Sequence, residues 1–176
     1  MVLFQFPRWF YLRQDNREFI IQCQERLPKY RVAVEFRNKG WLNGSEKEHT
    51  LSLLGDNNLV YVSVDEPQGL PSSVPPLAEA TSDIAVVRFH GRNKENWEKS
   101  GISVAERFKY LYAKEELGEW LPRLSYLASQ TKQLHVLFNN CYGDYEVRNA
   151  RDIGNLMRSR PSLFPDLIEP REMERR

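Results

Sequence analysis

Short runs with a two-residue period alternate along this chain with stretches of helical period, and that alternation limits the fold more than any other feature. Val2 to Phe6, Arg31 to Arg37, Leu59 to Asp65, Ile84 to His90 and Gln133 to Phe138 read as strands. Helical spacing appears at Asp15 to Leu27, at Ser45 to Leu54, in the Leu117, Trp120, Leu121, Leu124, Leu127 series, and after Gly143-Asp144. Parallel neighbours cannot be joined by a tight turn, so strands that alternate with helices build a parallel sheet with crossover helices. The expected class is α/β, with about five parallel strands.

Local signals place the element ends. Asp15 with Glu18, and Ser45 with Glu48, have capping-box spacing, and Gly55 offers a left-handed helix stop. Asp144 is the expected N-cap of the last helix. Pro122 either kinks its helix or marks a first turn near Leu121. Arg92 to Val104 reads as a loop carrying Trp97. Pro67 to Pro76 and the charged tail Glu169 to Arg176 read as low-order segments.

Composition removes several classes of function. The 176 residues suit one domain. With 25 Lys and Arg against 24 Asp and Glu, net charge is +1, which disfavours a general nucleic-acid or anionic-membrane binder. Cys23 and Cys141 are too few for a disulfide framework, so a reducing, cytoplasmic setting is expected. No apolar run of about 18 residues exists, and the opening MVLFQFPRWF lacks the basic region of a signal peptide.

The strand faces point to a site. Each strand has an aliphatic face suited to lie under helices, Val60, Val62 and Val64 in the third. The other face turns polar toward the C-terminal end: Gln5, then Glu35 and Arg37, Ser63 and Asp65, Arg88 and His90, then an Asn. Ligands of α/β proteins bind at those ends. Glu35, Asp65 and His90 are the candidate acid/base groups, His90 near neutral pH. Arg37, Arg88 and Arg92 are candidate anion binders, and Trp41 and Tyr112 candidate walls. Of Asn139 and Asn140, one is expected to face the pocket and the other to satisfy loop backbone. The bland alternative is an ion-pair network filling the strand ends. A divalent ion on Glu35, Asp65 and His90 is opposed by the nearby arginines, so no metal is expected. No nucleotide-binding glycine motif or zinc motif is present, and the cofactor stays unknown.

The phrases LFQFP, VAVEFRNKGW, VSVDEP, VRFHGRN, Tyr112 with KEELGEWL, and LFNNCYGDYEVRNA, in this order, resemble the YecE-like family of domains of unknown function, the seventy-second in that series. The resemblance runs from about Leu3 to Leu156. It implies a TIM-barrel-like fold with these phrases at strand ends, and no assigned activity. Members of that family are longer at the N-terminus, so the resemblance implies an incomplete barrel that begins near the fourth of roughly eight strands. Residues 1–160 would form the partial barrel and 161–176 an extension or mobile tail. Such a truncated barrel would leave edge strands open to self-association or to a missing N-terminal segment.

Three functions follow as expectations. The first is an enzyme, or former enzyme, binding a small anionic or sugar-like substrate at the strand ends. The second is a single-stranded nucleic-acid module using Arg37, Arg88, Arg92, Lys94, Trp97 and Trp41, which near-zero net charge disfavours. The third is a truncated, non-catalytic fragment.

Overall fold

The structure, a computed structural model, describes residues 1–165 and 167. Its centre is one five-stranded sheet: β1 (Val2–Phe6), β2 (Val32–Phe36), β3 (Val60–Asp65), β4 (Ile84–Phe89) and β5 (Gln133–Phe138). Spatial order equals sequence order, and every adjacent pair is parallel. The sheet is open, with β1 and β5 at its edges. The larger helices are α1 (Gln14–Glu25) and α2 (Glu46–Asp56), then the short α3 (Lys94–Trp97), α4 (Val104–Arg107) and α5 (Lys114–Gly118), and finally α6 (Leu121–Gln130) and α7 (Tyr145–Arg158).

A sheet whose order never reverses has a structural consequence. Right-handed crossovers that always step in one direction fall on one face. The core agrees. Phe6, Val32, Val34 and Phe36 pack with Ile20 and Cys23 of α1 and Leu54 of α2. Ala85, Val87 and Phe89 pack with Leu121, Leu124 and Leu127 of α6 and Ile153 of α7. Rings anchor each half: Phe6, Phe10, Trp41 and Phe36 stack in series, and Phe89 meets Trp120 at 5.2 Å and Phe138 at 4.8 Å.

Several local expectations are corrected. Neither the Asp15 nor the Ser45 capping box forms; α1 begins at Gln14 after Arg13, and Ser45 is itself helical at φ −65°, so its hydroxyl is not placed to cap. Helix α2 runs through Gly55, and the left-handed residue is Asn58 at φ 55°. Asp144 is the N-cap of α7, but its side chain makes no capping hydrogen bond. Pro122 sits in the first turn of α6, where its missing N–H costs nothing. The loop around Trp97 contains α3 and α4.

The proline-rich stretch is not loosely held. It forms an extended β3-to-β4 crossover with Val74 buried. Ser73 Oγ donates to the Pro67 carbonyl at 2.6 Å, and the Thr81 hydroxyl accepts from Tyr61 N at 2.8 Å. Proline has no N–H to satisfy, so such a segment can cover a sheet without helical bonding. The tail from Pro170 lies outside the described residues. Among the described residues there is no disulfide, and no helix is long and apolar enough to cross a membrane.

Candidate functional site

Register decides which polar residues meet. Paired residues of parallel neighbours point the same way. Gln5 pairs with Glu35, Ala33 with Val60, Val62 with Val86, and Val64 with Arg88. The face away from the helices therefore carries Gln5, Glu35, Val60, Val62, Val64 and Arg88. Asp65 pairs with Phe89, on the helix side. The expected row of polar ends is thus wrong at β3: Val60, Val62 and Val64 line the site face, and Ser63 and Asp65 face the helices.

On the site face the side chains converge. Glu35, fully buried, lies at the centre. Its Oε1 is 2.8 Å from Arg37 Nε and 3.0 Å from His90 Nε2, and Arg88 Nη1 donates to its Oε2. Arg37 Nη1 donates to Glu66 Oε2 at 3.0 Å. Gln5 Oε1 accepts from Arg37 Nη2 at 3.3 Å and from Arg88 Nη1 at 3.2 Å. Asn139 Oδ1 accepts from Arg88 Nη2 at 3.1 Å. These groups extend across the sheet from β1 to the end of β5, over Val62, Val64 and Val86, each 1% exposed.

The hydrogen bonds fix the state of His90. Its Nδ1 faces Arg37 Nη2 at 3.2 Å and Asn139 Nδ2 at 3.3 Å. A guanidinium can only donate, so Nδ1 accepts and the ring proton sits on Nε2, donated to Glu35. Burial pushes the imidazole pKa down, the Glu35 bond opposes it, and Arg37 and Arg88 push further, leaving about 4. His90 is therefore a neutral ring with both nitrogens engaged at neutral pH, unlike the expected acid/base near pH 7. Burial would raise the Glu35 carboxyl, but the His90 bond and the charges of His90, Arg37 and Arg88 outweigh it and hold it at about 2.

Glu66 is the residue the sequence reading missed. It is buried, its Oε1 accepts from Val74 N at 2.7 Å, and burial raises its pKa to about 7 against Arg37 and the Val74 N–H. The signal was available: Val60, Val62 and Val64 share a face, and two residues further comes Glu66. Between about pH 4.5 and 7 the folded protein binds more protons at Glu66 than the unfolded chain. Stability tied to this group is complete below pH 4.5 and falls as pH rises through 7. Between pH 5 and 8, wild type should lose roughly 2–3 kcal/mol relative to Glu66→Gln. Urea unfolding at both pH values checks this, and parallel pH curves for the two proteins would refute it.

The other candidates fall elsewhere. Asp65 accepts from Tyr112 OH at 2.6 Å, Trp120 Nε1 at 2.6 Å and Arg92 Nη2 at 2.8 Å, all on the helix side. Arg92 also pairs with Glu116 and Glu119. Tyr112 accepts from Gly91 N at 2.9 Å; Gly91 needs its φ of 86°, and a Cβ there would lie 2.7 Å from Tyr110 Cβ. Trp41 is buried with its N–H on the Phe10 carbonyl, so neither Trp41 nor Tyr112 walls the site. Trp97 is 3% exposed, leaving no ring face for a base. Asn139 is the asparagine in the site. Asn140 instead serves the backbone, donating to the Tyr110 carbonyl at 2.8 Å. Asp65 is turned away from Glu35 and His90, and among the described residues no group of three or more His, Cys, Asp or Glu could hold a metal ion.

An open, all-parallel α/β sheet with its longer helices on one face and a buried polar cluster at its strand ends is the class this molecule defines. Within that class, residues 1–173 match the family model described as protein of unknown function DUF72, and the chain belongs to that family. The match reaches past the Leu3 to Leu156 span at both ends. The chain is 37% identical over 161 residues to the UPF0759 protein YunF of Bacillus subtilis, covering 89% of this chain and 57% of that one. A solved DUF72 family protein of Thermotoga maritima, TM1631, matches with TM-score 0.79 and 35% identity over 89% of this chain and 56% of its own. The Enterococcus faecalis DUF72 protein EF0366 shares the fold, with TM-score 0.81 at 24% identity over 95% of this chain and 59% of its own. The chain thus spans a little over half the length of these relatives.

Proposed function

We propose that the strand-end cluster is a small-molecule site for a small anionic or sugar-like ligand, and that Glu66 is its proton-transferring group. The observation that carries this is the convergence of Gln5, Glu35, Arg37, Glu66, Arg88, His90 and Asn139 on one face, with a carboxyl held near pH 7 among fixed dipoles. A group titrating near working pH transfers protons best. The ionised Glu35 and neutral His90 hold the two arginines in place, and prearranged donors of this kind favour charge developing on a bound substrate.

The fold supports the same reading as a partial TIM-barrel-like arrangement. Strand order never reverses, the longer helices lie on one face, and the polar groups sit where barrel enzymes place theirs. Five of eight equal barrel units would occupy roughly 60% of a full chain, close to the 56% and 59% coverage of the solved relatives. In this reading the edges β1 and β5 pair with further strands, from another segment or another copy.

Calorimetry with a hexose, a hexose phosphate and inorganic phosphate tests the site. Binding of at least one probe is expected to weaken about 10-fold in Asn139→Ala and to lose its pH dependence around 7 in Glu66→Gln. No heat with any probe, or unchanged affinity in both variants, would refute the reading.

A further inference from the structure

Beside the cluster, above the ends of β1 and β2, lies a cleft of about 410 Å³, within the range of small-molecule pockets. Arg8, Tyr11, Arg37, Lys39, Ser72 and Glu98 are among its walls. The sequence places cations just past both strand ends: Pro7 stops β1 and Arg8 follows, while Arg37 leaves β2 and Lys39 comes two residues later. Asn38 holds the two exits together. Its side chain donates to the Arg8 carbonyl at 2.7 Å and accepts from Gly40 N at 2.8 Å. A Cβ on Gly40 would lie 2.9 Å from Asn38 Oδ1, so a larger residue there would press on the side chain that joins the two exits.

The charges in the cleft are not balanced. Arg37 is paired with Glu35 and Glu66. Arg8 and Lys39 are exposed, and among the described residues neither has a carboxylate within ion-pair distance. The Arg8 guanidinium is nonetheless positioned. One nitrogen donates to the Trp97 carbonyl at 3.1 Å, and its carbon lies 6.0 Å from the Trp97 ring centroid. Arg37 lies 5.4 Å from the same centroid, so one indole orients both guanidiniums. The remaining Arg8 N–H groups have no protein acceptor among the described residues. The Trp97 indole N–H is buried and likewise without a partner there. The one anion in the cleft, Glu98, is tied back by Ser72 through N at 3.1 Å and Oγ at 2.6 Å. Arg8, Lys39 and Glu98 together leave one positive charge.

We propose that this cleft is an oxyanion subsite, which takes the phosphate or sulfate group of a ligand whose remainder reaches the strand-end cluster through Arg37. The inference rests on the small-molecule reading above and names its ligand class. A planar guanidinium held on an aromatic face offers paired donors to a tetrahedral oxyanion, and Lys39 adds a point charge. Glu98 opposes the anion and sets an upper limit on its charge.

Calorimetry with inorganic phosphate, a hexose phosphate and the parent hexose tests the subsite on wild type, Arg8→Ala/Lys39→Ala and Glu98→Gln. All three changes are at exposed positions, and thermal melts confirm that the variants are folded. The phosphorylated probe is expected to bind at least 10-fold tighter than the hexose. The double variant should lose about 10-fold of that preference and leave hexose affinity unchanged. Glu98→Gln should tighten phosphate binding several-fold, and the effect should shrink with added salt. Phosphate affinity unchanged in the double variant, or weakened in Glu98→Gln, overturns the subsite. Hexose binding without phosphate preference overturns it and leaves the strand-end reading standing. Phosphate binding that depends on Arg8 and Lys39, without any dependence on Asn139 or Glu66, supports the subsite and overturns the strand-end reading.

Discussion

Glu35→Ala is expected to destabilise the protein by about 3–5 kcal/mol, the cost of removing one partner from a buried ion pair. Glu35 accepts from Arg88 and His90 and forms an ion pair with Arg37. Without it, Arg88 keeps only the neutral oxygens of Gln5 and Asn139. Arg37 retains Glu66, and the His90 N–H loses its acceptor. Two positive charges would then face each other over an apolar floor of valines. Total stability of a small domain is about 5–15 kcal/mol, so this one change consumes a large part of it. Urea unfolding measures the loss. Combining Glu35→Leu with Arg88→Leu should recover much of it, because an apolar pair of similar volume often replaces a buried ion pair at little cost. A loss under about 1 kcal/mol in Glu35→Ala would show that water, not Glu35, satisfies the arginines.

Asp65→Ala should cost about 2–4 kcal/mol and leave ligand binding at the strand ends unchanged. Its carboxylate accepts from the buried donors Tyr112 OH and Trp120 Nε1. Each such donor left unpaired costs about 1–3 kcal/mol. Arg92 contributes less to the loss, since Glu116 and Glu119 stay within reach. Tyr112 also accepts the Gly91 N–H just beyond His90, so some disorder at that turn is expected. Unfolding and calorimetry on the same variant separate the two roles. A variant as stable as wild type that no longer binds the probes would return Asp65 to the candidate site.

The contrast between these carboxylates shows where sequence reading reached its end. Both lie near the C-terminal end of a strand, and both sit among polar neighbours. Alternation within a strand places each residue on one of two faces, and every strand reading kept that correctly. It does not say which face of β3 lies beside which face of β2. Val60, Val62 and Val64 look like the helix-facing set, because an aliphatic face usually is. The pairing of Ala33 with Val60 turns them to the site face instead. That exchange removes Asp65 from the site and brings in Glu66. It also explains the failed aromatic walls: Tyr112 stands on the Asp65 side, and Trp41 within the stack of Phe10 and Phe36.

Sequence alone determined the α/β class, the five strands, their parallel arrangement, and the presence of Glu35, Arg37, Arg88, His90 and an asparagine at the strand ends. Those follow from short-range periodicity, which is set within a few residues. Tertiary structure decided strand register, the choice of Asn139 over Asn140, and the protonation of the cluster. It lowers His90 to about 4 and raises Glu66 to about 7. These depend on burial and on charges that are distant along the chain, such as Arg37 beside His90 and Glu66. The alternation of strand and helix periods was enough to build the sheet. Which carboxyl has its pKa raised toward neutrality depends on how the strands lie against one another, because a pKa is a property of surroundings rather than of residue type.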